Sequence, residues 1–400
     1  MPNNSTYRIL SLDGGGIWAL LQVMALQKIY TDETPGHQVL KDFNLVAANG
    51  AGCITLAGLM LDMPLGDILK KWFLDENQRR QLLAPPSGIW NKLFGNGARY
   101  STKKKRAALK TLLGDMAERK LASVFDGQKS APRPRPQILI CAYDCDRNRA
   151  EFFRSDRASR CASATADDPK LVDAINAATT APYPLFDLPA EGTDGRFWDG
   201  AAAGLYNPVL AAVTEARANR FGADVIRVLS LGTGTIQLPV SNAGGNKKLV
   251  RDRDSIALNA SDLLRTILYD PADTLTFVTH VMLDQLFPGD TEEIPVSGTV
   301  IRLSPVVRPL PQGDKWVSPE GLSDDEVEKL ASTGLDAIEP KGVELIRLLG
   351  ERWVEGKVLN QPIRAGREFG YEIGKERFPQ AVEAWKAIRN PAPGGPPAGP

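Results

Sequence analysis

Phe43-Asn44-Leu45-Val46-Ala47-Ala48-Asn49-Gly50-Ala51-Gly52 reads as a buried strand that runs into a helix, Cys53 to Leu61, through small residues. That is the build of a nucleophile elbow. The strained turn pushes one side chain into the site, and only small residues fit two positions on either side of it. Ala48 and Gly52 meet that limit and Ala51 follows the apex, but the apex, where serine is expected, is Gly50. Cys53 and Thr55 lie on the following helix and Ser11 precedes the next motif upstream, so none of them can take the apex.

Upstream, Leu12-Asp13-Gly14-Gly15-Gly16 is a strand end that enters consecutive glycines opening a helix. Such a turn brings backbone N–H groups close to one point, where the helix N-terminus adds positive potential. It suits an oxyanion hole or a phosphate cradle equally well. The dinucleotide fingerprint fails because no glycine follows at the required spacing after Gly16. Downstream, Phe197-Trp198-Asp199-Gly200-Ala201 holds a carboxylate in a tight glycine turn, ahead of a helix capped by Asn207-Pro208. Asp199 in that setting can act directly as general base to a hydroxyl, with burial raising its pKa. The chain has 2 histidines: His37 lies in a loop upstream of the elbow and His280 in an apolar helical run, Leu275 to Leu286. Both read as structural, which leaves no histidine for a triad and no Cys/His zinc site. No metal or other cofactor is expected.

The 400 residues, 43% hydrophobic, suffice for a large α/β domain with an appendage. Lys plus Arg, 48, equals Asp plus Glu, 48, so no global field points to a nucleic-acid polymer or an anionic membrane as the main partner. The 4 cysteines suit a reducing cytoplasm. No export signal is read ahead of the strand at Arg8, and no apolar run approaches the roughly 18 residues a membrane span needs.

Strand-like runs Arg8 to Leu12, Phe43 to Ala48, Gln137 to Tyr143 and Val225 to Leu231 alternate with helical patterns Ile17 to Tyr30, Leu171 to Ala178 and Asn207 to Asn219. The alternation predicts βαβ units around a mainly parallel sheet. Ile17 to Tyr30 is apolar almost all round, as a helix sandwiched in the core would be. The expected architecture is α/β, three layers with a mainly parallel central sheet and a helical C-terminal extension. It divides into a catalytic core at 7–235, a lid-like segment at 84–106, a helical part at 240–390 and a disordered Pro/Gly-rich tail at 391–400. In the lid-like segment, Trp90, Leu93 and Phe94 beside Lys103-Lys104-Lys105-Arg106 fit either a membrane-dipping loop with bases for anionic headgroups or an ordinary loop before a solvated helix.

Taken together, these stretches resemble the patatin-like phospholipase family, which carries Asp-Gly-Gly-Gly, Gly-x-Ser-x-Gly and Asp-Gly-Gly or Asp-Gly-Ala in this order. Ala174-Ile175-Asn176-Ala177-Ala178-Thr179-Thr180-Ala181-Pro182 and Ser230-Leu231-Gly232-Thr233-Gly234 agree as well, so the resemblance covers about residues 7 to 235. It implies a lipid acyl hydrolase with a serine–aspartate dyad and an oxyanion hole at Gly14, Gly15 and Gly16, acting on phospholipid or another acyl-ester lipid. Three departures stand out: Trp18-Ala19 where the family has Arg-Gly, Ala48 for the first elbow glycine, and Gly50 for the nucleophile.

Gly50 fits a natural pseudoenzyme or an inactivated variant. Retention of Asp199, the triple glycine and the whole elbow favours the variant, and the alternative is a non-catalytic lipid- or nucleotide-binding module. The resemblance extends to cyclic-nucleotide-activated, membrane-degrading effectors of antiviral defence, an expectation by analogy. Lys247, Lys248, Arg251 and Arg253 are its candidate contacts, against a plain solvated loop. Cytoplasmic placement with peripheral contact at the inner membrane, and self-association, complete the expectations.

Overall fold

The computed structural model describes residues 6–87, 98–156, 168–192, 194–218, 225–234, 240–241, 248–249, 273–283, 299–312, 315–365 and 371–389. Trp90, Leu93, Phe94, Lys247, Arg251, Arg253 and the tail 391–400 lie outside the described residues.

An eight-stranded sheet organises the chain. Its strands are β1 (Thr6–Leu12), β2 (Leu45–Ala48), β3 (Gln137–Asp144), β4 (Arg149–Arg154), β5 (Ala190–Gly192), β6 (Gly195–Asp199), β7 (Val225–Leu231) and β8 (Val300–Leu303). The order is β8-β7-β1-β2-β3-β6-β5, with β4 also on β3. From β8 to β3 every pairing is parallel, whereas β4, β6 and β5 join antiparallel.

Because strand side chains alternate between faces, each apolar strand feeds two layers. Leu10, Leu12, Val46, Ile138 and Leu229 enter one cluster, with residues of α1 (Leu20–Ile29), α2 (Gly52–Met60) and α4 (Leu171–Ala178). Tyr7, Ile9, Leu45, Leu139 and Val228 enter the other, against Val209, Ala212 and Val213 of α5 (Val209–Ala218). The result is the expected three-layer α/β/α fold. α1 is buried along most of its length, as its nearly uniform apolar character predicts, and α6 (Pro340–Val354) from the C-terminal part packs on it.

Two findings go beyond the sequence reading. The C-terminal part adds a strand, β8, to the central sheet; Val300–Leu303 is only 4 residues long and carries Arg302, so it escapes a search for apolar runs. The basic run is not a single surface patch. It opens α3 (Thr102–Leu113), where Lys103 and Lys104 are exposed, Arg106 pairs with Asp173 at 2.8 Å, and Lys105 is 3% exposed and faces the interior. Helical periodicity turns the third position of such a run toward the core.

The Asn207-Pro208 cap takes the expected form. Asn207 is buried, and its Oδ1 accepts from the Val209 amide at 2.9 Å and from the Ser11 hydroxyl at 3.2 Å, while its Nδ2 donates to Thr276 Oγ1 at 2.8 Å. One side chain thus ties α5, β1 and the helix over 273–283 together. Asn207→Ala should lower unfolding free energy by about 1–3 kcal/mol, through the lost cap and the buried groups left unpaired. Urea denaturation measures it, and a change within error would mean the cap carries no such weight.

Candidate active site

The elbow, the glycine loop and the loop after β7 share one edge of the sheet because their strands end in register. Leu12 of β1 pairs with Ala48 of β2 on one side and with Leu231 of β7 on the other. The segments after these strands, from Asp13, Asn49 and Gly232, therefore emerge side by side at the carboxyl ends of parallel strands, where open α/β sheets place their ligands.

The placement of Asp199 follows from β3. Leu139 and Ile140 pair with Ala47 and Ala48 of β2 and also with Arg154 and Phe153 of β4, so β2 and β4 hold opposite edges of β3. Ala142 to Asp144 pair with both β4 and β6, which puts β6 on the edge that β2 holds. β2 stops opposite Ile140 and the oncoming β6 stops with Asp199 opposite Ala142. The two strands meet head-on, with the turn at Asn49-Gly50 facing the carboxylate.

At that junction Asn49 Nδ2 donates to Asp199 Oδ1 at 2.9 Å, and the Ala201 amide donates to the same oxygen at 2.8 Å. The Asp199 amide donates to the Thr180 carbonyl at 2.7 Å. Among the described residues no group donates to Oδ2, and a β-carbon on residue 50 would stand 3.1 Å from it. A hydroxyl on that carbon would have a carboxylate oxygen to receive its proton. Burial raises the Asp199 pKa above the ordinary value, opposed by the Ala201 and Asn49 hydrogen bonds and by the charge of Lys105. Its hydrogen-bond partners include neither histidine. His37, 1% exposed, bonds the Met60 carbonyl at 2.9 Å and Ser130 Oγ at 3.1 Å, while His280 is buried on the helix over 273–283.

Gly50 has φ +50°, the left-handed backbone that an apex residue needs and that side chains strain to adopt. Ala48 ends β2 without exposed surface, and Ala51 caps α2. Gly52 begins that helix, with no room for a side chain: a β-carbon there would lie 2.5 Å from the Leu12 carbonyl oxygen.

The glycine loop is held from several directions. The Gly14 amide donates to the Tyr206 carbonyl at 2.8 Å, so of the three expected oxyanion donors this one is engaged. The Gly14 carbonyl accepts from Thr233 Oγ1 at 2.8 Å, which gives the Ser230–Gly234 stretch its task in the fold. Asp13 forms a buried bidentate pair with Arg302 of β8, at 3.0 and 2.6 Å, and Gln22 Nε2 donates to the Asp13 carbonyl at 2.8 Å. The Ile17 amide donates to the Leu335 carbonyl at 2.8 Å. Among the described residues, no acceptor is bonded to the amides of Gly15 and Gly16, which are therefore the candidate anion donors of the loop. Trp18, in place of the expected arginine, is 1% exposed and belongs to the core. Among the described residues, no group of three or more His, Cys, Asp and Glu side chains is arranged to hold a metal ion.

Participants missed in the sequence are Asn49, Gln22, Tyr206, Arg302, Leu335 and Lys105. Asn49 had a local signal, a polar side chain directly before the apex of an otherwise apolar elbow. Arg302, Leu335 and Lys105 lie far in sequence from the motifs they support.

A family model described as Patatin-like phospholipase matches residues 10–213, just over half of the chain. No curated protein matches. Among solved structures, the crystal structure of VipD from Legionella pneumophila is similar at 12% identity, covering 96% of this chain and 75% of that one with a TM-score of 0.34, a likeness that by itself carries no argument.

Glycine at the apex has a thermodynamic consequence. At residue 50 a β-carbon would carry the left-handed strain and stand 2.9 Å from Gly14 Cα, so the glycine loop would have to give way slightly. Gly50→Ser should therefore cost about 1–3 kcal/mol of stability. Differential scanning calorimetry reads this as a lower melting temperature; an equal or higher one would contradict an elbow at this position.

Proposed function

The chain belongs to the patatin-like phospholipase family, whose members act on lipid acyl esters, and from that premise we propose that residue 50 and Asp199 mark a serine–aspartate hydrolase site that binds acyl-ester lipid but, with glycine at 50, does not cleave it. The observation that carries this reading is Asp199 Oδ2, which accepts from no described residue and lies 3.1 Å from the β-carbon position of residue 50. A dyad requires a carboxylate fixed on one oxygen and open on the other, pointed at the nucleophile, and this one meets both conditions.

In the serine form, Asp199 Oδ2 takes the hydroxyl proton as Oγ attacks the ester carbonyl. The amides of Gly15 and Gly16 face the developing oxyanion, with Gly14 serving to anchor the loop. The tetrahedral intermediate collapses, the proton passes from Asp199 to the leaving alcohol, and water, deprotonated by the same carboxylate, releases the fatty acid. Loss of the attacking atom closes the covalent route, and in other serine hydrolases removing one catalytic residue costs on the order of a millionfold.

A non-catalytic nucleotide-phosphate module is less well supported, because the Gly14 amide and the Asp13 carboxylate are already engaged by Tyr206 and Arg302. Activation by a cyclic nucleotide, a part in antiviral defence, cytoplasmic placement, peripheral membrane contact and self-association stand as extensions of the reading by family analogy. No helix among the described residues is long and apolar enough to cross a membrane.

Gly50→Ser should gain ester hydrolysis on mixed phospholipid vesicles or p-nitrophenyl esters, and Gly50→Ser with Asp199→Asn should lose it again. Since the base must be ionised and burial raises its pKa, kcat/KM should fall on acidification at a pH above the ordinary aspartate value. A folded serine variant inactive on every ester tried would overturn the hydrolase reading.

A further inference from the structure

Lys105 is a buried cation that none of the family motifs includes. It sits in the first turn of α3 at 3% exposure. Its Nζ donates to three neutral oxygens, the Asn176 carbonyl at 3.1 Å, Thr179 Oγ1 at 3.0 Å and Thr180 Oγ1 at 2.6 Å. The same Nζ lies 4.3 Å from the centroid of the Phe186 ring. Three acceptors and an aromatic face are the surroundings of an ammonium group, which has three donors and no lone pair, rather than of a neutral amine.

Thr180 is the link to the site. Its hydroxyl receives Lys105, and its carbonyl receives the Asp199 amide at 2.7 Å. Resting on the dyad reading above, we propose that Lys105 is a positioning residue for the base: its ammonium holds the turn at 176–180 against β6, and its charge keeps the neighbouring Asp199 carboxylate ionised inside the protein.

Among the described residues, the groups that face this charge are few. Asp199 comes from β6 and Cys53 from α2, and both favour the charged ammonium against burial, which lowers the Lys105 pKa well below the usual lysine value. Cys141 of β3 couples to Asp199, with Arg154 beside it, and to Cys53. Burial pushes the Cys141 thiol up to about 12 and the Cys53 thiol well above its usual value, so neither competes as an anion at neutral pH. Among the described residues, the cation whose charge bears on Asp199 is Lys105. The uncompensated alternative, a buried carboxylate without a nearby cation, would protonate and lose its basic oxygen.

The test begins with the protein as it stands, with glycine at 50, and needs no turnover. The Asp199 carboxyl carbon is titrated by 13C NMR in the parent and in Lys105→Met, whose folding is checked by its melting curve. Removing the cation should raise the Asp199 pKa by about one pH unit or more; an unchanged value overturns the proposal. Independently of any variant, the ζ-nitrogen of Lys105 should remain an ammonium at pH 7 in the unmodified chain, and a neutral amine at pH 7 overturns it as well. In the Gly50→Ser background, Lys105→Met should move the acid limb of kcat/KM to higher pH by the same amount. Should the serine variant prove inactive, the dyad reading fails while the two NMR titrations still decide the role of Lys105.

Discussion

The site depends on one geometric constraint, that β2 and β6 occupy the same edge of β3 and run into each other. β2 arrives parallel to β3 and ends at Ala48; β6 arrives antiparallel and ends at Asp199, two β3 residues beyond. Neither strand can lengthen without displacing the other. The turn at Asn49-Gly50 is thereby forced out of the sheet, directly toward the carboxylate. Asn49 closes the junction with its bond to Oδ1, and the second carboxylate oxygen is left to face residue 50. Two segments 150 positions apart in the chain are brought to hydrogen-bonding distance by strand ends rather than by flexible loops, which favours precise alignment of reacting groups.

The glycine loop illustrates the complementary problem. A run without side chains can approach a substrate closely, but it has nothing of its own to pack, so its shape must be imposed from outside. Tyr206 and Thr233 hold Gly14 by amide and carbonyl, and Arg302 holds the Asp13 carboxylate. Leu335 receives the Ile17 amide, with its carbonyl oxygen so near Gly16 that a β-carbon there would lie 1.9 Å away. The next residue, Asp336, accepts from Arg99 and Tyr100 at 2.9 and 2.8 Å. The C-terminal part is therefore structurally continuous with the site: Arg302 and Leu335 both lie beyond residues 10–213, the stretch that the family model matches. A buried Asp–Arg pair adds less to net stability than its short distances suggest, since both charges are desolvated, but losing either partner leaves the other stranded.

Burial and polar support are balanced differently at the two carboxylates of the site. Asp13 is saturated by a bidentate guanidinium and serves to fix the loop. Asp199 receives two donors on one oxygen, burial raises its pKa, and among the described residues no group donates to its other oxygen. Glycine at 50 relieves the apex of backbone strain and removes the side chain that Oδ2 would otherwise face there.

Sequence alone determined what depends on local chemistry and period. β7 and α4 appear with the expected bounds, the elbow and triple glycine are legible because small residues at fixed spacing have few other uses, and the scarcity of histidine pointed to a carboxylate base. The apex glycine is itself a fact of sequence. Tertiary structure alone decided which polar groups remain available. It engaged the Gly14 amide, turned Lys105 inward from a basic run that reads as surface, and brought Arg302 and Leu335 onto the glycine loop. The reason is physical: motif spacing reports the conformation of a few consecutive residues, whereas the hydrogen-bond partner of a buried group is set by whichever distant segment the packing of layers brings beside it.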